Sequence, residues 1–122
     1  MSEMFDNATA FRGLSMPTSG SLSCSSDAIG WQSCGVDGFW LKPLFEDDSS
    51  AQKCWLMKMD AGAYSSAHAH ENIEQIFVLD GSFYDDDKIH QKGDYIIRAP
   101  GAMHTAGSEE GALMLLVYTN AE

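Results

Sequence analysis

The chain has 122 residues, of which 44% are hydrophobic, 11% aromatic and 20% charged, enough for one ordinary core and too apolar for wholesale disorder. Seven Lys and Arg against eighteen Asp and Glu give a net charge of −11. That field repels phosphate backbones and anionic lipid, so no nucleic-acid or membrane partner is expected.

The first six residues, Met1 to Asp6, lack the basic start and apolar run of a secretory signal, and no stretch is apolar enough to span a bilayer. A cytoplasmic protein is expected. Cys24, Cys34 and Cys54 are odd in number and form no CxxC pair, which fits reduced thiols in a reducing compartment. Met4, Phe5, Ala8, Phe11 and Leu14 fall at near-helical spacing, which predicts a short amphipathic helix or an arm packed on a partner subunit. Six of the twelve residues from Ser15 to Ser26 are serine, joined by Pro17 and Gly20, a composition that favours extended, solvated backbone. Residues 1–30 therefore read as an arm and tether, and residues 31–122 as a single domain.

From Trp31 onward short apolar or alternating runs are punctuated by Gly, Asp and Pro, the pattern of an all-β domain. The predicted strands are 39–45, 53–59, 66–70, 73–79, 82–85, 88–91, 95–99, 104–106 and 112–119, with a turn at Asp80-Gly81 among the connections. No helical period separates them, which favours a sandwich or barrel over parallel α/β units. The runs 76–79 and 113–117 are apolar on both faces, so each needs cover twice, from a barrel interior on one side and a second sheet or subunit on the other. The acidic trio Asp85, Asp86 and Asp87 reads as a solvated turn rather than a calcium loop, because no spaced ligands follow it.

His68 and His70 are separated by one residue. On a strand, residues i and i+2 share a face about 6–7 Å apart, within reach of one ion at ~2.1 Å from each imidazole. Glu74 joins them if the chain bends near 71–73 and continues as the next strand, and imidazole with carboxylate suits a divalent first-row metal. An HxH pair alone arises by chance, so its surroundings decide. Gly62, His68, His70, Glu74 and Gly81 fit G(x)5HxH(x)3E(x)6G without mismatch, and in this the chain resembles the cupin superfamily at its first motif. Against the second motif, G(x)5PxG(x)2H(x)3N, Gly93, Gly101 and His104 are in register, while Ala99 and Ser108 stand where proline and asparagine are expected and Pro100 is displaced by one.

The resemblance covers about Trp31 to Thr119. It implies an all-β cupin double-stranded β-helix, or jelly-roll barrel, usually a homodimer, with His68, His70, Glu74 and His104 as a three-histidine, one-carboxylate metal set. One divalent metal per chain is implied, Fe(II) first, with Zn, Mn or Ni as alternatives. Four protein ligands on an octahedral ion leave two positions open to a small-molecule ligand. Gln75, Tyr64, Ser66 and Thr105 are candidates to orient the imidazoles. Trp55, Tyr64 and Met103 flank the motifs and are expected to line a substrate pocket. His90 reads as a solvent-facing strand residue, and Arg98 as one half of an intramolecular ion pair.

The lead-in Trp31…Gly35-Val36…Lys42-Pro43-Leu44 and the stretch from Glu74 to Phe83 are similar to cupins related to the C-terminal domain of ChrR-type anti-sigma factors, a group that includes acetylacetone- and dihydroxyacetophenone-cleaving dioxygenases. About thirty serine-rich residues stand where such anti-sigma factors carry a helical zinc domain, so sigma-factor binding is not expected. Two functions follow from the resemblance: a metal-dependent dioxygenase acting on a small diketone, hydroxyketone or phenolic molecule, or a non-catalytic metal- or ligand-binding sensor. No catalytic residue beyond the metal ligands stands out, and a sugar isomerase or epimerase ranks below both.

Overall fold

The computed structural model describes residues 13–86 and 88–120. The predicted helix or arm over 1–14 lies outside these apart from Gly13 and Leu14, which joins the strand edge through a parallel bridge to Phe45. Residues 15–25 follow as mostly exposed, irregular chain, as their serine content predicts.

The rest is all-β apart from one 3-10 turn at Ser26–Ala28. The strands are β1 (Gln32–Ser33), β2 (Phe39–Asp47), β3 (Gln52–Met59), β4 (Tyr64–His68), β5 (Ile73–Tyr84), β6 (Ile89–Gln91), β7 (Tyr95–Arg98), β8 (His104–Gly107) and β9 (Ala112–Thr119). Every strand pairing is antiparallel, in the order β1-β2-β3-β9-β5-β8-β4, with β6 and β7 also on β5. The sheet curls into the jelly roll that the resemblance implies. Among the described residues no helix is long and apolar enough to cross a membrane.

One predicted break is absent. The runs 73–79 and 82–85 are a single strand, and the expected turn at Asp80-Gly81 is a register shift between Val78 and Asp80 on β9. Gly81 sits at φ 71°, and a Cβ there would fall 2.1 Å from the Gly111 carbonyl oxygen. Glycine thus lets β5 bend from one sheet into the other without losing its ladder.

Cross-strand register sets the interior in layers. One inward rung reads Glu46, Lys53, Tyr118, Glu74, Arg98 across β2, β3, β9, β5 and β7. The next reads Pro43, Trp55, Leu116, Ile76, Ile96, and below it lie Leu41, Met57, Met114 and Val78. A polar layer therefore caps apolar ones on the same strands. The doubly apolar runs resolve by alternation: Ile76, Val78, Met114 and Leu116 are buried, whereas Phe77 is 43% exposed and Leu113, Leu115 and Val117 are half-buried.

Candidate metal centre

The fold encloses a cavity of about 630 Å³ bounded by these layers and by β4 and β8. The β4–β8 register pairs His68 directly with His104, and their rings stand 4.3 Å apart between centroids. His70 comes from a different place than strand geometry predicts. The fourth strand begins at Tyr64 and ends at His68, so His70 lies in the bend beyond it. There the Gly101 amide donates to the His70 carbonyl at 2.7 Å, which docks the second motif's turn on the first and stops the ladder. Gly101 makes that turn at φ 80°, a conformation that favours glycine over residues with a Cβ.

One ring nitrogen from each of His68, His70 and His104 lies within 4.8 Å of the other two, an arrangement that can hold a metal ion. His68 Nδ1 donates to the Ser66 carbonyl at 2.9 Å and His104 Nδ1 to the Thr105 carbonyl at 3.3 Å. Backbone oxygens at Ser66 and Thr105, rather than side chains, thus orient these rings and leave Nε2 free to face inward. Gln75 is engaged on the outer face, where it accepts from Tyr95 at 2.6 Å.

Glu74, buried on β5, faces the same point. Its Oε1 is 3.6 Å from His104 Nε2 and its Oε2 4.0 Å from His70 Nε2. The Tyr118 hydroxyl donates to Glu74 Oε2 at 2.6 Å. Burial and the adjacent carboxylate push that phenol well above its usual range, which keeps it a donor. Arg98 Nε stands 3.3 Å from Glu74 Oε1, yet neither atom has an aligned hydrogen-bond partner, so the pair is a charge contact rather than a directed bond. His104 Nε2 is likewise buried without a partner. Buried polar atoms are rarely left so, and imidazole with carboxylate is a donor set for a divalent first-row ion, so these residues fit one. Burial lowers the His70 and His104 pKa values, which favours the neutral, ligating form.

The other predicted site residues separate. Trp55 lines the cavity, and its indole nitrogen donates to Glu46 at 2.9 Å. Tyr64 and Met103, 53% and 65% exposed, are not among its walls, since each points away from the ligand on its own segment. Arg98 forms the expected ion pair, shared between Glu74 and Asp85. His90 is not solvent-facing: it is buried against Phe83 and pairs with Asp85 at 3.0 Å. The hairpin that holds Asp85 folds inward, so this aspartate is structural rather than solvated. Cys34, Met57 and Met114 also line the cavity, a role that composition alone does not distinguish from ordinary core. Where the second motif expects asparagine, the buried Ser108 hydroxyl donates to the Ser82 carbonyl at 2.6 Å and accepts from the Gly111 amide at 2.7 Å.

The family described as the ChrR cupin-like domain matches residues 19–121. No curated protein matches the chain. Among solved structures, an RmlC-like cupin from Shewanella frigidimarina superposes with a TM-score of 0.73 at 20% identity, over 84% of this chain and 94% of that one. A chain of Rhodobacter sphaeroides SigE in complex with the anti-sigma ChrR gives 0.64 at 23% identity, over 74% and 49% respectively. A cupin-like protein of unknown function from Ralstonia eutropha JMP134 gives 0.63 at 17%, over 68% and 56%. The chain thus spans about half the length of the latter two.

Proposed function

The chain belongs to the family of ChrR cupin-like domains, and from that premise we propose that it is a metal-dependent dioxygenase acting on a small diketone, hydroxyketone or phenolic molecule. The observation that carries this reading is the partnerless pair His104 Nε2 and Glu74 Oε1, buried 3.6 Å apart beside a largely apolar cavity. His68, His70, His104 and Glu74 would hold one divalent metal, Fe(II) first and Zn, Mn or Ni as alternatives. When bound, such a metal supplies Lewis acidity toward substrate oxygens and the means to activate dioxygen.

The chain's own residues do the rest. The Ser66 and Thr105 carbonyls fix two imidazoles, and the Tyr118 hydroxyl fixes Glu74. Arg98 offsets the buried Glu74 charge. Leu41, Met57, Met114 and Leu116 exclude water from the bound substrate.

Metal stoichiometry on untagged protein, purified without air or chelator, tests the site. About one iron per chain is expected in the wild type, and at least a tenfold loss of affinity in His68→Ala. Oxygen uptake by the iron-loaded protein across diketones and catechols then tests the activity. Family membership favours a second reading, a non-catalytic ligand-binding sensor; tight zinc without turnover would support it against the first.

The outward side chains Gln75, Phe77, Tyr95 and Ile97 pair across β5 and β7 and carry no charge in a chain of net −11. A second copy can dock there without like-charge repulsion, and we assign the homodimer contact to this face. Phe77→Asp should shift the sedimentation coefficient from dimer to monomer. The free thiols of Cys24, Cys34 and Cys54 suit a reducing, cytoplasmic setting.

A further inference from the structure

The polar rung holds a cation that the metal site does not use. Lys53 lies in register between Glu46 and Tyr118 and lines the cavity. Its ammonium stands 5.1 Å from the Trp55 ring centroid. Among the described residues no carboxylate lies within ion-pairing distance of it. Glu46, its cross-strand neighbour, accepts from the Trp55 indole instead.

The other charged groups on the cavity wall are Glu74 and Arg98, which face one another, and Arg98 is held on its far side by Asp85. Lys53 is therefore the wall's uncommitted charge. It is one of only seven basic residues in a chain with eighteen acidic ones. A fixed cation in a low-dielectric cleft attracts anions even where the net field of the protein repels them. Beneath it the rungs are apolar, with Trp55, Leu116, Ile76, Met57 and Met114 in succession. A volume of about 630 Å³ suits a small organic molecule.

We propose that Lys53 is the anion-recognising residue of this cavity, and that its ligand is a small amphipathic carboxylate. The carboxylate meets Lys53 at the polar end, and the apolar body lies against the Trp55 and Met57 layers. This deepens the functional reading above by giving its substrate class an acidic group, and it takes from that reading only the location of the site.

Isothermal titration of the full chain with 3-phenylpropionate and the isosteric 3-phenylpropionamide tests it, on metal-loaded and chelator-stripped protein. The carboxylate should bind about five- to tenfold more tightly than the amide. That ratio should fall to about one in Lys53→Gln and recover in Lys53→Arg, because charge rather than shape sets it. Lys53-dependent selectivity in both metal states upholds the proposal even if no metal is ever retained, so the two readings fail separately. A preference that survives Lys53→Gln overturns it, since the metal or Arg98 then holds the anion. Equal affinity for the two probes in the wild type, or no binding of either at millimolar concentration, overturns it as well.

Discussion

The two ends of the cavity are made by the same five strands yet differ in chemistry. At one end a single rung places Glu46, Lys53, Tyr118, Glu74 and Arg98 side by side. Two residues along four of the strands, and three along β2 where the register shifts between Pro43 and Phe45, the rung is Pro43, Trp55, Leu116, Ile76 and Ile96. Hydrophobic burial holds the apolar end, where loss scales with the volume removed. At the polar end Glu74 and Arg98 are buried as a charge pair, and there loss scales with what is left unpaired. Register alone converts one kind of sensitivity into the other over a step of about 7 Å.

The largest effect is expected where one partner leaves the polar rung. Arg98→Ala removes the cation shared by the buried carboxylates of Glu74 and Asp85, whose side chains are 6% and 7% exposed, and leaves Glu74 with the Tyr118 hydroxyl and Asp85 with His90. Metal-free protein should lose about 3–5 kcal/mol in urea unfolding. A divalent ion should restore part of that loss, since it supplies the missing positive charge beside Glu74. Met114→Ala cuts the apolar end instead and should cost about 2–4 kcal/mol. Metal stoichiometry should be unchanged, because Met114 is in register with Met57 and Val78 and with none of the four metal ligands. If the two variants responded alike to added metal, the division between the ends would collapse.

Much of this was legible in the sequence, for reasons that differ along the chain. Strands such as β3 and β9 announce themselves by period and composition, and His68, His70, Glu74 and His104 by the spacing of two motifs. The unbroken β5 was hidden because Asp80-Gly81 is also a turn dipeptide, and only the close approach of Gly111 shows that the glycine serves a bend. The burial of His90 depends on its partner Asp85, and of three adjacent aspartates composition does not say which folds inward. The polar rung was invisible, since it joins residues 46, 53, 118, 74 and 98 through strand register, a long-range property without a local signal. Tyr64 and Met103 show the converse: adjacency to a motif in sequence does not put a side chain on the same wall.

A smaller change sharpens the picture at a single contact. Tyr118→Phe keeps the ring against Trp55 and His70, at centroid distances of 5.5 and 5.2 Å, and removes only the hydroxyl that donates to Glu74. A cost of about 1–3 kcal/mol is expected in metal-free protein. Metal affinity should fall as well, since a carboxylate free to rotate is a poorer ligand. Stability without any effect on metal affinity would mean that Arg98 suffices to orient Glu74.

The smallest effect concerns three thiols on different surfaces of the same molecule. Cys24 is exposed on the serine-rich segment, Cys34 lines the cavity and Cys54 is half-buried on β3. Burial raises the pKa of both Cys34 and Cys54. The thiolate is the nucleophile, so at mildly alkaline pH a smaller fraction of each is reactive and both should lag behind Cys24 in alkylation followed by mass spectrometry. The sign is fixed by the direction of the shift: raising the pH should speed the alkylation of Cys34 and Cys54. A ligand in the cavity should slow Cys34 further and leave Cys54 alone, because Cys54 faces outward in register with Val117. Equal protection of the two would place the ligand outside the cavity, and with it the division between polar and apolar ends would lose its bearing on recognition.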